Sequence, residues 1–415
     1  MHARLGWAMA LGLAVGAVAT AGVATNETVR YDPYFIGYQS EPAMDYGGRT
    51  LASLDAAVSR AVWGDGVWRP RIYIALFCEN YVGGFLSVVQ HETLGHGGRA
   101  REFGLDPSYS FGADLSGSTS IGRDPKNNLQ NIVLAGAGME ADGVLAQRLL
   151  RDLYTGDGAD GAVIPMLAFA KLDFTVYCLS TPNPSDKPND FRDAYRDGND
   201  VAYYMVSRQA QRTGGDPADV WNNRYTINFN DPRLSALYDD LQTAAAWNLA
   251  DPAFLAAAYG YVVDHAIRRE ERVRPPVVPL GGDFGLTAGT RAFAGPDTVT
   301  RFVDLYLLTP GPLVQVYGRI LDSSIDTAMG YGAAVNEIPL GKSVWLSGGV
   351  DFWQNPDSLE RLENGNGWNA VGEVNTLFAG RVGVSVKVGA KSDGYFPGTP
   401  LDSGVYGGAG VLFAF

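Results

Sequence analysis

Residues 88–98 read V-V-Q-H-E-T-L-G-H-G-G and place two imidazoles and a carboxylate, His91, Glu92 and His96, on one short stretch. Hydrolytic zinc chemistry needs this set of groups. Neutral imidazoles bind the ion, and a nearby carboxylate takes the proton of a water molecule. His91 and His96 are therefore candidate ligands of a single zinc ion, with Glu92 as candidate general base.

The spacing imposes a geometric condition. On an α-helix, residues four apart differ in direction by about 40°, and residues five apart by about 140°. The familiar H-E-x-x-H signature meets the first condition, whereas His91 and His96 on a regular helix point to different sides. One extra residue in the turn, a π-bulge, repairs this, as does unwinding at Gly95. Gly97 and Gly98 can end the helix just beyond the second histidine. The pattern of His91, Glu92, Gly95 and His96 resembles the H-E-x-x-x-H motif of the TldD-type metallopeptidases. Confined to those four residues, the resemblance implies that this spacing supports a metallopeptidase with both histidines as ligands.

A third ligand is expected from a later helix. The segment Leu134–Gly143, L-A-G-A-G-M-E-A-D-G, has small residues that allow close helix approach. It resembles the following helix from which many H-E-x-x-H peptidases take a carboxylate. That resemblance implies Glu140 as ligand and Asp142 as a group orienting a histidine. Glu79, about three turns before His91, competes for the ligand role. The chain has only four histidines. One of them, His265, reads as a surface or satisfied core residue, the alternative being a transition-state donor. Arg192–Tyr204 is dense in polar and aromatic groups. It suits a substrate cleft with Arg196, Tyr203 or Tyr204 as oxyanion donor, but the pattern favours an amphipathic helix with a solvated face.

Two kinds of element must position these groups. Residues 29–273 show apolar recurrence at three- and four-residue spacing, which predicts a helical, zincin-like domain. Arg274–Gly282, R-P-P-V-V-P-L-G-G, is a stiff linker. Residues 283–415 alternate with period two, and strands can be drawn at about 283–293, 299–309, 312–321, 327–338, 343–353, 369–379, 381–391 and 404–415. The expected fold is α+β and multidomain: the helical domain followed by an antiparallel β-barrel of about eight strands.

Strands of this length suit the smallest outer-membrane barrels. The last strand resembles the C-terminal assembly signal of bacterial outer-membrane proteins, with alternating apolar residues before a terminal Phe415. Trp345, Phe352, Trp353, Trp368, Tyr395 and Phe396 fall near strand ends, as an interfacial girdle requires. At the other terminus, residues 1–24 read as a cleaved secretory signal peptide: Arg4, then an apolar run, then small residues.

With 46% apolar and 19% charged residues, the chain can bury a sizeable core. Its net charge of −13 argues against non-specific nucleic-acid binding. The two cysteines, Cys78 and Cys178, suit one disulfide or two buried thiols equally. No phosphate loop, dinucleotide fingerprint or nucleophile elbow stands at a strand-to-helix turn. The expectation is an envelope zinc metallopeptidase of a Gram-negative bacterium, acting on a peptide or protein and contacting outer-membrane lipid. The alternative is a non-catalytic outer-membrane barrel protein whose helical domain binds a partner, any metal being structural.

Overall fold

The computed structural model describes residues 34–63, 73–296, 299–322, 327–355 and 365–414. The expected signal peptide, residues 1–24, and the terminal Phe415 lie outside the described residues.

After strand β1 (Tyr34–Gln39) and helix α1 (Met44–Trp63) comes one continuous helix, α2. It alternates between two geometries: π over Ile74–Glu79, α over Asn80–Val89, π over Gln90–His96, and α over Gly97–Glu102. A hairpin of β2 (Pro107–Phe111) and β3 (Gly117–Ile121) follows. Helix α3 (Asn128–Tyr154) starts where the Asn127 side chain accepts a hydrogen bond from the Gln130 amide, a standard N-cap that satisfies an otherwise orphan donor. Most of α3 is buried, and it packs against α1, the second π segment, α4 (Ile164–Ser180) and α6 (Asp200–Thr213). Its stacked Leu145, Leu149 and Leu153 fill one core, and Ile132, Ala135 and Met139 fill another. Between and beyond lie β4 (Ala159–Asp160), α5 (Pro188–Arg196), α7 (Pro217–Trp221), α8 (Pro232–Leu249) and α9 (Pro252–Gly260). A third π segment, Tyr261–Ile267, extends α9, and β5 (Arg272–Val273) pairs with β4.

The C-terminal part forms β6 (Val278–Gly281), β7 (Phe284–Ala294), β8 (Val299–Leu308), β9 (Leu313–Asp322), β10 (Thr327–Pro339), β11 (Val344–Asn355), β12 (Gly365–Phe378), β13 (Val382–Lys391) and β14 (Gly404–Phe413). Strands β7 to β14 fall where period two places them. Their closure does not follow the expectation. The ten-stranded antiparallel sheet runs β1-β14-β13-β12-β11-β10-β9-β8-β7-β6 and is open, so the eight-stranded barrel is contradicted. It also takes β1 from before the helices and β6 from the expected linker.

Helices explain why the edges do not meet. On β1, the Phe35 amide donates to Ser53 Oγ at 2.9 Å and the Gly37 amide to Thr50 Oγ1 at 3.1 Å, both hydroxyls from α1. On the part of β7 beyond β6, the Ala292 amide donates to Asn248 of α8 at 3.0 Å, and Lys171 of α4 donates to the Thr290 carbonyl. Edge groups that would pair strand to strand in a barrel are thus bonded to helix side chains.

On β12 and β13 the polarity is the reverse of that in a soluble sandwich. On β13, Val382, Val384, Val386 and Val388 are exposed, while Ser385 and Lys391 are buried. On the inner face, Arg291 pairs with Asp304 at 2.8 Å and Asn369 donates to Asp351 at 2.7 Å. The expected aromatic girdle is corrected in part. Trp353 and Tyr395 are buried, and Trp353 packs against Phe396 with ring centroids 5.6 Å apart.

Candidate metal centre

The second π segment is Q-H-E-T-L-G-H, Gln90 to His96. Its i→i+5 repeat turns His96 back toward His91, and their Nε2 atoms lie 3.1 Å apart. Close approach of α3 is what the small residues permit. A Cβ on Gly95 would sit 2.6 Å from the Ala137 carbonyl oxygen and from Gly138 Cα. A Cβ on Gly138 would sit 2.2 Å from His91 Nε2. A side chain at Gly95 would push the helix backbones apart, and one at Gly138 would displace the His91 ring.

The third donor is Asp200, in the first turn of α6. Asn199 caps that turn by accepting from the Ala202 amide at 2.9 Å, and the helix dipole favours a carboxylate there. Asp200 Oδ2 lies 3.0 Å from His91 Nε2 and 3.2 Å from His96 Nε2. The outer nitrogens fix both tautomers. His96 Nδ1 sits 2.7 Å from the Leu134 carbonyl, which can only accept, so Nδ1 carries the proton. His91 Nδ1 lies 3.1 Å from Asp173 Oδ2 and 3.5 Å from Asp142 Oδ2, two further acceptors. In the neutral rings, two lone pairs and a carboxylate oxygen therefore converge on one point. Ligand atoms of a tetrahedral zinc site, with bonds of about 2.0–2.1 Å, stand about 3.3 Å apart. The three edges of this triangle fit such an ion, and His96 and Asp200 also line a cleft.

The electrostatics agree. Burial alone would raise the Asp200 carboxyl, but His96 and His91 hold it well below the usual carboxylate range. Burial would likewise lower both imidazoles; Asp173 instead drives His91 well up, and Asp200 raises His96. Burial and the Asp173 charge push Asp142 up to about 7.

Around the triangle, Asp173 and Tyr177 stand one turn apart on α4 and reach the same side. The Tyr177 ring stacks on His91, with centroids 5.5 Å apart and planes 16° apart. Glu92 takes a hydrogen bond on Oε2 from Thr119 Oγ1 of β3 at 2.6 Å. Glu92, His96, Asp200, Tyr177, Thr119 and Trp221 share the walls of a cleft of about 270 Å³.

Of the residues expected from the sequence, His91, Glu92 and His96 come together here. Glu140 does not join them. It lies about 200° around α3 from Gly138, the position facing His91. Both its oxygens bind the buried Arg99, at 2.5 and 3.0 Å, and Oε1 also accepts from the Gly398 amide at 2.8 Å. Asp142, four residues after Gly138, is the α3 carboxylate that reaches His91. Glu79 instead pairs with His265, whose Nε2 is 3.2 Å from both its oxygens and whose Nδ1 is 2.8 Å from the Glu270 carbonyl. His265 is a satisfied core residue. Cys78 and Cys178 are both free thiols. Asp173, Tyr177 and Asp200 were not singled out by the sequence. Asp200 does fall within the Arg192–Tyr204 stretch, where Gly198-Asn199-Asp200 is a legible helix start. Compared with protein-family models, curated proteins and solved structures, the chain matches none of them.

Proposed function

We propose that this protein is a metal-dependent hydrolase, in its sharpest form a zinc metallopeptidase of the cell envelope. Its ligands are His91, His96 and Asp200, and Glu92 is its general base. The observation that carries this reading is the triangle of two imidazole lone pairs and one carboxylate oxygen, opening on a cleft that Glu92 also lines. When bound, the ion supplies Lewis acidity and lowers the pKa of a water molecule.

The chain's own residues do the rest. Asp173 and Asp142 hold His91 in the ligating tautomer, and the Leu134 carbonyl does the same for His96. Thr119 anchors Glu92 on the wall of the cleft that His96 and Asp200 also line, where its carboxylate would accept the proton of an attacking water and pass it to the leaving amine. Tyr177, held against His91, offers its hydroxyl to the developing oxyanion of a carbonyl in the cleft. Ile121, Leu134, Tyr203 and Trp221 give the cleft apolar and aromatic walls, suited to a peptide side chain beside the scissile bond.

The test is cleavage of a fluorogenic peptide library by purified protein, before and after chelation and on re-addition of zinc. Activity lost with chelator and restored by zinc supports the reading. A chelated protein that unfolds, with no cleavage in any state, favours the alternative of a structural metal in a partner-binding domain.

We place this activity at the outer membrane because β13 exposes Val382, Val384, Val386 and Val388 while Ser385 and Lys391 on its other face are buried.

A further inference from the structure

The apolar outer surface does not stop at the sheet. Going outward from β7, α9 packs on the sheet edge, α4 on α9, α2 on α4, α1 on α2, and β1 on α1, which returns to the other edge. Helices thus bridge the gap left by the open sheet, with α3 inside the ring. These bridging helices expose apolar groups just as the strands do. Val176 and Leu179 of α4 are 60% and 66% exposed, and Leu255 of α9 is 55% exposed. On α2, Phe77 is 68% exposed. Among the described residues, Gly161–Ser180, which contains α4, is long and apolar enough to cross a bilayer.

We propose that strands and bridging helices form one mixed wall immersed in a lipid bilayer, the helices standing where a barrel would have further strands. Two independent observations select lipid as the occupant. The first is charge. The outward positions of β12 from Trp368 to Phe378 and of β13 from Val382 to Val388 contain no ionisable residue, while Asp304, Arg291, Asp351 and Glu373 are buried inside. A water-facing sheet has the reverse arrangement. The second is edge chemistry. In hydrocarbon an open sheet edge is excluded, because its backbone groups have no water to bond. Here Ser53, Thr50, Asn248 and Lys171 supply those bonds from the helices, at the gap where a membrane wall requires them. α4 then has lipid on one face and Asp173 and Tyr177 of the metal centre on the other.

This inference does not depend on the metal chemistry, and its test reads no activity. Single cysteines replace Val386 on the sheet, Val176 and Leu255 on the bridging helices, and Asp193 on α5 as an aqueous control, in a full-length Cys78→Ala, Cys178→Ala background. Each carries a nitroxide in vesicles of phosphatidylethanolamine and phosphatidylglycerol. Leu179→Cys and Tyr259→Cys duplicate the helix positions in case one variant fails to fold. The mixed wall predicts oxygen-accessible, nickel-chelate-protected labels at Val386, Val176 and Leu255, and the opposite at Asp193. Lipid protection at Val386 with water exposure at both helices overturns the helical part of the wall. A chain that stays soluble and monomeric without detergent, with all four labels in water, overturns the whole of it.

Discussion

His91 and His96 are five residues apart on one helix, yet their Nε2 atoms lie 3.1 Å from each other, because the turn between them is π rather than α. Asp200 closes the triangle from a separate helix. This relationship turns a spacing that would separate two imidazoles into a three-donor site.

Glu92→Gln keeps the shape of the residue and its contact with Thr119 but removes the base. The expected outcome is a fall in kcat of about 10²–10⁴-fold, with metal content and thermal stability unchanged. Steady-state kinetics beside metal analysis checks this. Unaltered turnover would remove Glu92 from the chemistry.

Gly138→Ala places a methyl group against His91 Nε2, where the Cβ would be 2.2 Å away. Overpacking of this kind costs about 1–3 kcal/mol. Here it must also displace a ligand, so both the melting temperature and zinc affinity should fall. Ala137→Gly, at the next position on the same helix, makes no such clash and is expected to keep zinc affinity. Equilibrium zinc titration with a competing chelator distinguishes the two.

Glu140→Gln leaves the buried Arg99 guanidinium with Glu102, at 2.6 Å, as its remaining carboxylate partner. Losing both partners of a buried charge costs about 3–5 kcal/mol, so losing this one should shift denaturant unfolding by less than that but measurably. The metal stoichiometry of the folded fraction should stay at the wild-type value. A variant that folds normally but loses zinc would restore Glu140 as ligand.

In the metal-free protein, His91 and His96 are raised above the ordinary histidine value. A raised folded-state pKa contributes stability that is fully present below the unfolded pKa and is lost as pH rises through the folded one. The apo protein should therefore lose stability on the alkaline side, where added zinc restores it. Zinc affinity should rise with pH, because binding displaces protons. Calorimetry in buffers of differing ionisation enthalpy should show proton release on binding. Proton uptake, or none, would contradict this assignment of the ligands.

Much of this architecture is legible along the chain, and the reasons for the rest are physical. Period-two alternation locates β7 to β14 because each residue reports its own face. The edge partners are not legible, since Ser53 and Asn248 stand on helices 18 and 44 residues from the amides they bond, and no local pattern marks a hydroxyl or amide as a strand's bonding partner. The π turn can be argued from Gly95, the one residue between Leu94 and His96 that lets α3 approach. The third ligand cannot be reached in the same way. In Leu134–Gly143 small residues do mark the contact helix, but which carboxylate faces the histidine depends on its rotation. Gly138 faces His91, and Asp142 follows it on that side while Glu140 points away toward Arg99. Asp200 has only its helix-start signal, Gly198-Asn199 before it, and a capped helix start does not announce a ligand.

The most direct measurement is metal content by mass spectrometry of purified wild type, His91→Ala, His96→Ala and Asp200→Ala, each confirmed as folded by circular dichroism. The account predicts about one zinc per chain in wild type, as a site with three protein ligands and one open position holds, and loss of that zinc in all three variants. Equal, negligible zinc in all four proteins, or full retention in Asp200→Ala, would contradict it.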